Sequence, residues 1–188
     1  MSIELSIENR YKNRCSTEEM MKPVIRDYQP RDYDVCRALW QELTERHREI
    51  YGDPSIGGDD LGQGFEAYLA NSKRRASWVV EIQGQIVALA GLIVDDKEGE
   101  IEPVVVSSHY RSRGIGTMLV RHVVEQARYM RIGYVKVRPV ARNKEAISFF
   151  VRLGFDLLGQ VELFQDFSGA PRSKWESGIS IHEHKLDY

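Results

Sequence analysis

The stretch EIEPVVV, residues 100–106, is followed within a few positions by RSRGIGT, residues 111–117. Side chains two apart on a strand point the same way, so Glu100 and Glu102 are expected on one face, shared with Val104 and Val106. Two acids on one wall can attract a cation and accept its proton, directly or through ordered water, more readily where partial burial raises their pKa. Two solvated strand acids would read the same way.

The second stretch suits an anion. Arg111, Arg113, Gly114 and Gly116 fall between a strand and the first turn of a helix, where backbone N–H groups have no intrahelical acceptor. The glycines allow positive φ and close approach, the helix dipole favours negative charge, and an arginine adds charge-assisted contacts, so a diphosphate could be held largely by main-chain amides. The alternative is a glycine turn with solvated arginines. The run is neither a GxxxxGK[ST] loop nor a full GxGxxG fingerprint.

Pro103 has no N–H to donate and belongs at an edge, a bulge or a place where pairing stops. Pro139 falls towards the end of the next strand. Two such positions on neighbouring strands predict a sheet that splays open between them, the kind of crevice where α/β folds bind ligands.

The elements that position these residues follow from periodicity. VIRDY, from Val24, reads as a strand. A helix follows, with Pro30 near its start, Gly52 past its end, and Val35, Leu39, Leu43 and Trp40 as its buried stripe. A long Gly- and Asp-rich loop leads to a second helix, FEAYLANSKR, and the run Lys73, Arg74 and Arg75 at its end is read as a solvated helix end, the alternative being contact with a ligand phosphate or the substrate. SWVVEI and IVALAGLIV form a hairpin, and EIEPVVV continues the meander. Ile115, Met118, Leu119, Val123, Ala127 and Met130 then mark a helical face, with Gly133 as its stop. YVKVRPV is a strand, NKEAISFFVRL a helix stopped by Gly154, and FDLLGQVELFQDF and GISIHEHKLDY are extended. The strand–helix–strand step around the long helix implies parallel neighbours with a right-handed crossover. The expected fold is α/β (α+β): a mixed, mostly antiparallel sheet with one parallel, splayed strand pair and helices on both faces.

The glycine turn, YRSRGIGTMLV, resembles the [Q/R]xxGx[G/A] pyrophosphate loop of the GNAT superfamily of acetyl-CoA-dependent N-acetyltransferases, and NKEAISFFVRLGF resembles that family's NxxAxxFYxxxGF segment. Two such motifs in order are more specific than either alone. The resemblance implies that acetyl-CoA is the cosubstrate and that the amides of Arg113, Gly114, Ile115, Gly116 and Thr117, with Arg111, bind its pyrophosphate. It further implies that the strand around Val104, Val105 and Val106, together with Asn143, Phe149 and Phe150, lies along the pantetheine arm. An exposed amide near Val104 or Val105 would stabilise the oxyanion.

The resemblance also makes that strand the home of the base. An amine acceptor must lose a proton, since lysine and α-amino groups have reference pKa values of about 10.4 and about 7.7–8.0. Glu102 is preferred over Glu100 as lying deeper towards the cleft. The chain departs from the pattern at Phe150, where the family's commonest sequence has a tyrosine that protonates the leaving thiolate; Tyr110 and Tyr134 are substitutes by proximity only. The implied reaction is direct attack of a primary amine in a ternary complex, the amine being a protein N-terminus, a lysine or a small molecule. Asp53, Asp59 and Asp60 favour a cationic acceptor. The rival reading is a CoA-binding sensor or interaction module that kept the fold and lost turnover. Similar proteins are often dimers, which makes a homodimer an expectation compatible with the resemblance.

Composition bounds the rest. With 188 residues, 42% hydrophobic and 29% charged, the chain suits one globular domain, expected over residues 23–188, after a polar extension at 1–22. A net charge of -2 argues against nucleic-acid binding through a global positive field. No run approaches the ~18 apolar residues of a membrane span and no secretory signal pattern is present, so a cytoplasmic protein without membrane partners is expected. Cys15 and Cys36 form no pairing or metal-binding framework. His182 and His184 alternate as on one side of a strand, but lack a third ligand, and no metal is expected. Trp40, Trp78 and Trp175 are read as packing residues.

Overall fold

A computed structural model describes residues 22–167 and 175–188. The expected N-terminal extension lies, apart from Lys22, outside the described residues, as does Cys15. The chain divides into two compact units at Lys136 and Val137.

In the first unit a five-stranded sheet has the order β1-β2-β3-β4-β5, from β1 (Val24–Asp27), β2 (Arg74–Ile82), β3 (Gln85–Asp95), β4 (Glu98–Val106) and β5 (Tyr134–Lys136). The first four pair antiparallel; β4 and β5 are parallel. Helices α1 (Tyr33–Tyr51) and α2 (Gln63–Ala70) supply Cys36, Leu39, Phe65 and Tyr68 to a core closed by Val79, Leu89 and Val105 of β2, β3 and β4. Burying each such leucine or phenylalanine contributes about 1.5–3 kcal/mol. Helix α3 (Ile115–Tyr129) buries Ile115, Leu119, Val120, Val123 and Ala127. Its His122 meets the ring of Trp78 edge-on, and Trp78 neighbours Val79 on β2, so α3 covers the face opposite α1 and α2.

Local chemistry sets the helix ends. Gly52 takes a left-handed φ of 60° and its N–H reaches Arg48 O and Glu49 O, closing α1 where the sequence placed the stop. The buried stripe of α1 is shifted from the expected one: Val35 is 44% exposed, and Cys36 heads the 36, 39, 40, 43 spacing that faces the sheet. Helix α3 ends at Tyr129, earlier than expected. Arg131 takes the left-handed position, and Gly133 instead donates to Lys97 O at 2.8 Å as the chain turns into β5.

Strand β4 carries a bulge. Ala90 faces Val104 and Leu92 faces Ile101, so Glu102 and Pro103 together oppose Gly91 alone. The insertion reverses the alternation beyond it. Val104 and Val106 pair with Ala90 and Ala88 on the α3 face, whereas Glu100 pairs with Ile93, a residue packed on the α1–α2 core. The expectation that Glu100 shares a face with Val104 and Val106 is therefore corrected, because one extra residue moves a side chain to the other side of the sheet.

The β4–β5 pairing covers only Glu98–Glu100 and Tyr134–Lys136, and residues 137–140, expected to continue the strand to Pro139 and Val140, are not strand. Beyond Glu100, β4 runs on to Val106 without β5 beside it.

In the second unit α4 (Lys144–Arg152) is capped by Asn143, whose Oδ1 accepts from Ala146 N–H at 3.0 Å, and Gly154 follows with φ 92°. Phe150 is buried, its ring 5.1 Å from that of Phe149 and 5.7 Å from that of Phe155. Residues 155–167, expected as a strand, pair with no strand, and Leu157 and Phe167 are largely exposed. The final stretch is a hairpin rather than one strand: β6 (Ser177–Ile181) pairs antiparallel with β7 (His184–Asp187). His182 sits in the turn with φ 54°, so strand alternation does not bring it beside His184. Among the described residues no helix is long and apolar enough to cross a membrane, and no three His, Cys, Asp or Glu side chains are grouped to hold a metal ion.

Candidate functional site

The site begins at the turn entering α3. Gly114 is the N-cap with φ 79° and ψ −4°, a left-handed conformation that glycine adopts without penalty, and a Cβ built there meets nothing within 4 Å. The first bond of the helix is Met118 N–H to Gly114 O at 3.0 Å. Among the described residues the N–H groups of Arg113, Gly114, Ile115, Gly116 and Thr117 have no protein acceptor. Five successive donors at the positive end of a helix dipole form a cradle for an anion.

Other side chains fix the approach to this turn. Glu42 of α1 accepts from Ser108 N–H at 2.8 Å and from the Ser107 hydroxyl at 3.1 Å. Tyr110 donates to Gln85 Oε1 at 3.0 Å and carries the Arg113 guanidinium 5.2 Å from its ring centroid. Arg111 Nε donates to Val106 O at 3.0 Å. Both arginines are exposed beside the cradle. Tyr110 is thus engaged by a neighbouring strand and an arginine, and Tyr134 bonds to Glu98, which raises the Tyr134 pKa.

The edge of β4 comes next. Ser107 N–H donates to Val87 O at 2.9 Å, which makes Leu89 and Val105 the next hydrogen-bonded pair by antiparallel alternation. Val105 therefore spends its amide on β3. The N–H groups of Val104 and Val106 turn to the opposite edge, the one β5 leaves after Glu100. Of the two amides expected for the oxyanion, Val104 has the orientation and Val105 does not.

On the α1–α2 face the bulge of β4 meets a polar group that sequence reading missed. Tyr68 is 5% exposed, its hydroxyl 2.6 Å from Ser77 Oγ. Burial pushes its pKa up to about 12, so the hydroxyl stays protonated at neutral pH; Arg74 and Glu102 lie close enough to act on it electrostatically in opposite senses. Arg74 was read as a helix end, but it opens β2, half-buried, with its guanidinium 5.8 Å from the Tyr68 ring centroid. The aromatic spacing of α2 gave a signal for the core, but nothing in the local sequence marks Arg74 as facing inward.

The predicted residues fall into two sets. Glu100, Glu102, Val104, Val105, Val106 and the Arg111–Thr117 turn occupy one strand and the turn that follows it. Asn143, Phe149 and Phe150 belong to the second unit, where Asn143 caps α4 and the two phenylalanines pack together. Glu102 is exposed and Glu100 half-buried. Of the loop acids, Asp60 binds Arg37 and Gly62 N–H, and Asp53 accepts from Ser55 N–H and its hydroxyl.

Comparison with known proteins bears on this arrangement. Residues 34–155 match the Acetyltransferase (GNAT) family. Over 100 residues the chain is 32% identical to the N-acetylaspartate synthetase of Danio rerio, covering 52% of this chain and 36% of that protein. Over 135 residues it is 30% identical to the glucosamine 6-phosphate N-acetyltransferase of Trypanosoma brucei brucei, covering 63% of this chain and 86% of that one. The chain thus spans little more than a third of the length of the Danio rerio relative. A variant of the BH1408 protein of Bacillus halodurans has a TM-score of 0.63 at 18% identity, over 77% of this chain and 99% of that one, a likeness of fold.

Proposed function

This chain belongs to the GNAT acetyltransferase family, whose enzymes use acetyl-CoA, and from that premise we propose that it transfers the acetyl group of acetyl-CoA to a primary amine by direct attack in one ternary complex. The observation that carries this reading is the row of amides from Arg113 to Thr117, without protein acceptors, placed directly after a strand whose outer edge loses its parallel partner at Glu100. In this reading the amides, with Arg111 and Arg113, hold the diphosphate. Val104 N–H, aimed at the open edge, would meet the thioester oxygen as negative charge develops there. Asn143, Phe149 and Phe150 are assigned to the pantetheine arm on the family resemblance.

In the reaction an N–C bond forms and the thioester C–S bond breaks. The proton shed by the amine goes to Glu102 or Glu100, directly or through water. The sulfur leaves as thiolate, which a thiol pKa of about 8.5 permits without an acidic side chain, or takes a proton from water. No covalent enzyme intermediate is required. The names of the two relatives designate aspartate and glucosamine 6-phosphate, each an amine that also bears an anionic group, and that is support for a small acceptor here rather than a protein.

A second reading rests on one residue. Phe150, in place of the family's usual tyrosine, is packed between two other phenylalanines and has no proton to give, which favours a CoA-binding sensor without turnover. Acetyl-CoA with a panel of amines, followed by release of free thiol, separates the two. Thiol release dependent on an amine is expected; tight CoA binding with no release for any amine would establish the sensor.

A further inference from the structure

We propose that Arg74 is the specificity-determining residue of the acceptor site, and that the acceptor is a small primary amine carrying an anionic oxygen group, carboxylate or phosphate. This rests on the acetyltransferase reading and narrows its substrate class.

Registry places the residue. Arg74 pairs with Ile93 and Ile93 pairs with Glu100, so the three stand in a row across β2, β3 and β4 on the α1–α2 face. Two strand spacings separate the Cα atoms of Arg74 and Glu100, about 10 Å, and both side chains are long enough to shorten that gap. An amine directed at Glu100 or Glu102 therefore has a guanidinium within the length of a small molecule. Tyr68 carries the Arg74 guanidinium over its ring, and its hydroxyl and the Glu102 carbonyl oxygen both abut the space beside Gly91.

The partners of Arg74 show what it lacks. Its Nε donates to Leu69 O and its Nη1 to Ser77 Oγ, both at 3.3 Å, and it lies over the Tyr68 ring. These are long bonds to neutral acceptors. Of the other half-buried arginines of the same unit, Arg26 is neutralised by Asp32 and Glu81 and Arg37 by Asp60 and Glu66, while Arg48 is spent on the carbonyls of Ile56 and Gly58 in its own loop. Among the described residues no carboxylate lies within ion-pair distance of Arg74. Withdrawing a cation from water without a counter-ion is unfavourable, and a planar guanidinium matches a carboxylate or phosphate in a bidentate fork. A substrate anion completes the arrangement.

The same geometry disfavours the cationic acceptor suggested by the acidic loop. Asp60 is held by Arg37, and Asp53 accepts from the N–H and hydroxyl of Ser55.

The test uses matched pairs differing only in the anionic group: β-alanine against β-alaninamide for the carboxylate, glucosamine 6-phosphate against glucosamine for the phosphate, with spermidine as the cationic competitor. We expect kcat/KM for the anionic member of at least one pair to exceed its neutral twin by about tenfold or more, one charge-assisted hydrogen-bond pair. Arg74→Met should lower kcat/KM for the anionic member by about tenfold more than for its neutral twin, and Arg74→Lys should restore part of that difference. Spermidine or the neutral twins as best substrates would overturn the proposal, as would an equal loss for both members in Arg74→Met, the mark of a prop for Leu69 and Ser77. Calorimetric titration of the same amines into CoA-loaded protein separates this inference from the reaction. Anion-dependent binding lost in Arg74→Met without thiol release from any amine supports Arg74 and refutes turnover; thiol release without anion preference does the reverse.

Discussion

The hydroxyl oxygen of Tyr68 lies 1.9 Å from where a Cβ on residue 91 would stand, so α2 and β3 interlock at the point where β4 bulges. The Glu102 carbonyl oxygen lies 2.5 Å from the same position. Gly91→Ala should therefore displace both the ring and the bulge. A loss of about 1–3 kcal/mol is expected from urea unfolding, as for other overpacked sites. Adding Tyr68→Phe should recover only part of it, because the backbone oxygen remains. Full recovery in the double variant would show that the hydroxyl alone sets the constraint.

Much of this scaffold was readable in the amino-acid pattern, and the exceptions have physical causes. The change from alternating to helical period after Val106, with Gly114 as punctuation, marks the strand–turn–helix because both periodicities are strong there. The face of Glu100 was not readable, because a bulge at Glu102 and Pro103 reverses alternation without altering composition. Arg74 looked like the end of a helix, and only the register shift between Arg74 and Ala76 on β2 reveals its inward place. Residues 155–167 have strand-like composition, but strand propensity counts only where a partner edge is available.

Asp32 is buried, and the hydrogen bonds from Arg26 hold its carboxyl below the usual carboxylate range, helped by Gln29 N–H. Its folded pKa is thus lower than its unfolded value of about 3.9. Between those two values the unfolded chain binds more protons, so this contribution is complete above the unfolded pKa and lost as pH falls through the folded one. The urea midpoint should decline in that acid window. Asp32→Asn should flatten this part of the profile and cost about 1.5–3 kcal/mol at neutral pH, since it removes charge-assisted hydrogen bonds of a part-buried pair while Arg26 keeps Glu81.

Glu102→Gln and Glu100→Gln distinguish the two candidate bases. The variant that removes the base should lose about 10²- to 10⁴-fold in rate, with CoA affinity unchanged and the pH dependence of the rate altered. Wild-type rates in both single variants and in the double variant would exclude a carboxylate base on β4.

The cap on α4 makes a separate prediction. Asn143→Ala removes the acceptor for Ala146 N–H and should destabilise the helix by about 1 kcal/mol, read as faster amide exchange in its first turn. Asn143→Ser should retain protection. Loss of CoA affinity in Asn143→Ala with unchanged exchange would instead assign the side chain to the cosubstrate.

Calorimetric titration of CoA into wild-type protein and Gly114→Trp tests the central claim most directly, with pantetheine, which lacks the diphosphate, as the control ligand. A Cβ at Gly114 meets no protein atom within 4 Å, so the indole would occupy the space before the amides while its φ of 79° adds backbone strain that unfolding measurements can quantify. The account predicts that CoA binds the wild type well ahead of pantetheine, and that folded Gly114→Trp loses CoA affinity at least tenfold. Equal affinity of the two proteins for CoA, or equal binding of CoA and pantetheine by the wild type, would contradict it.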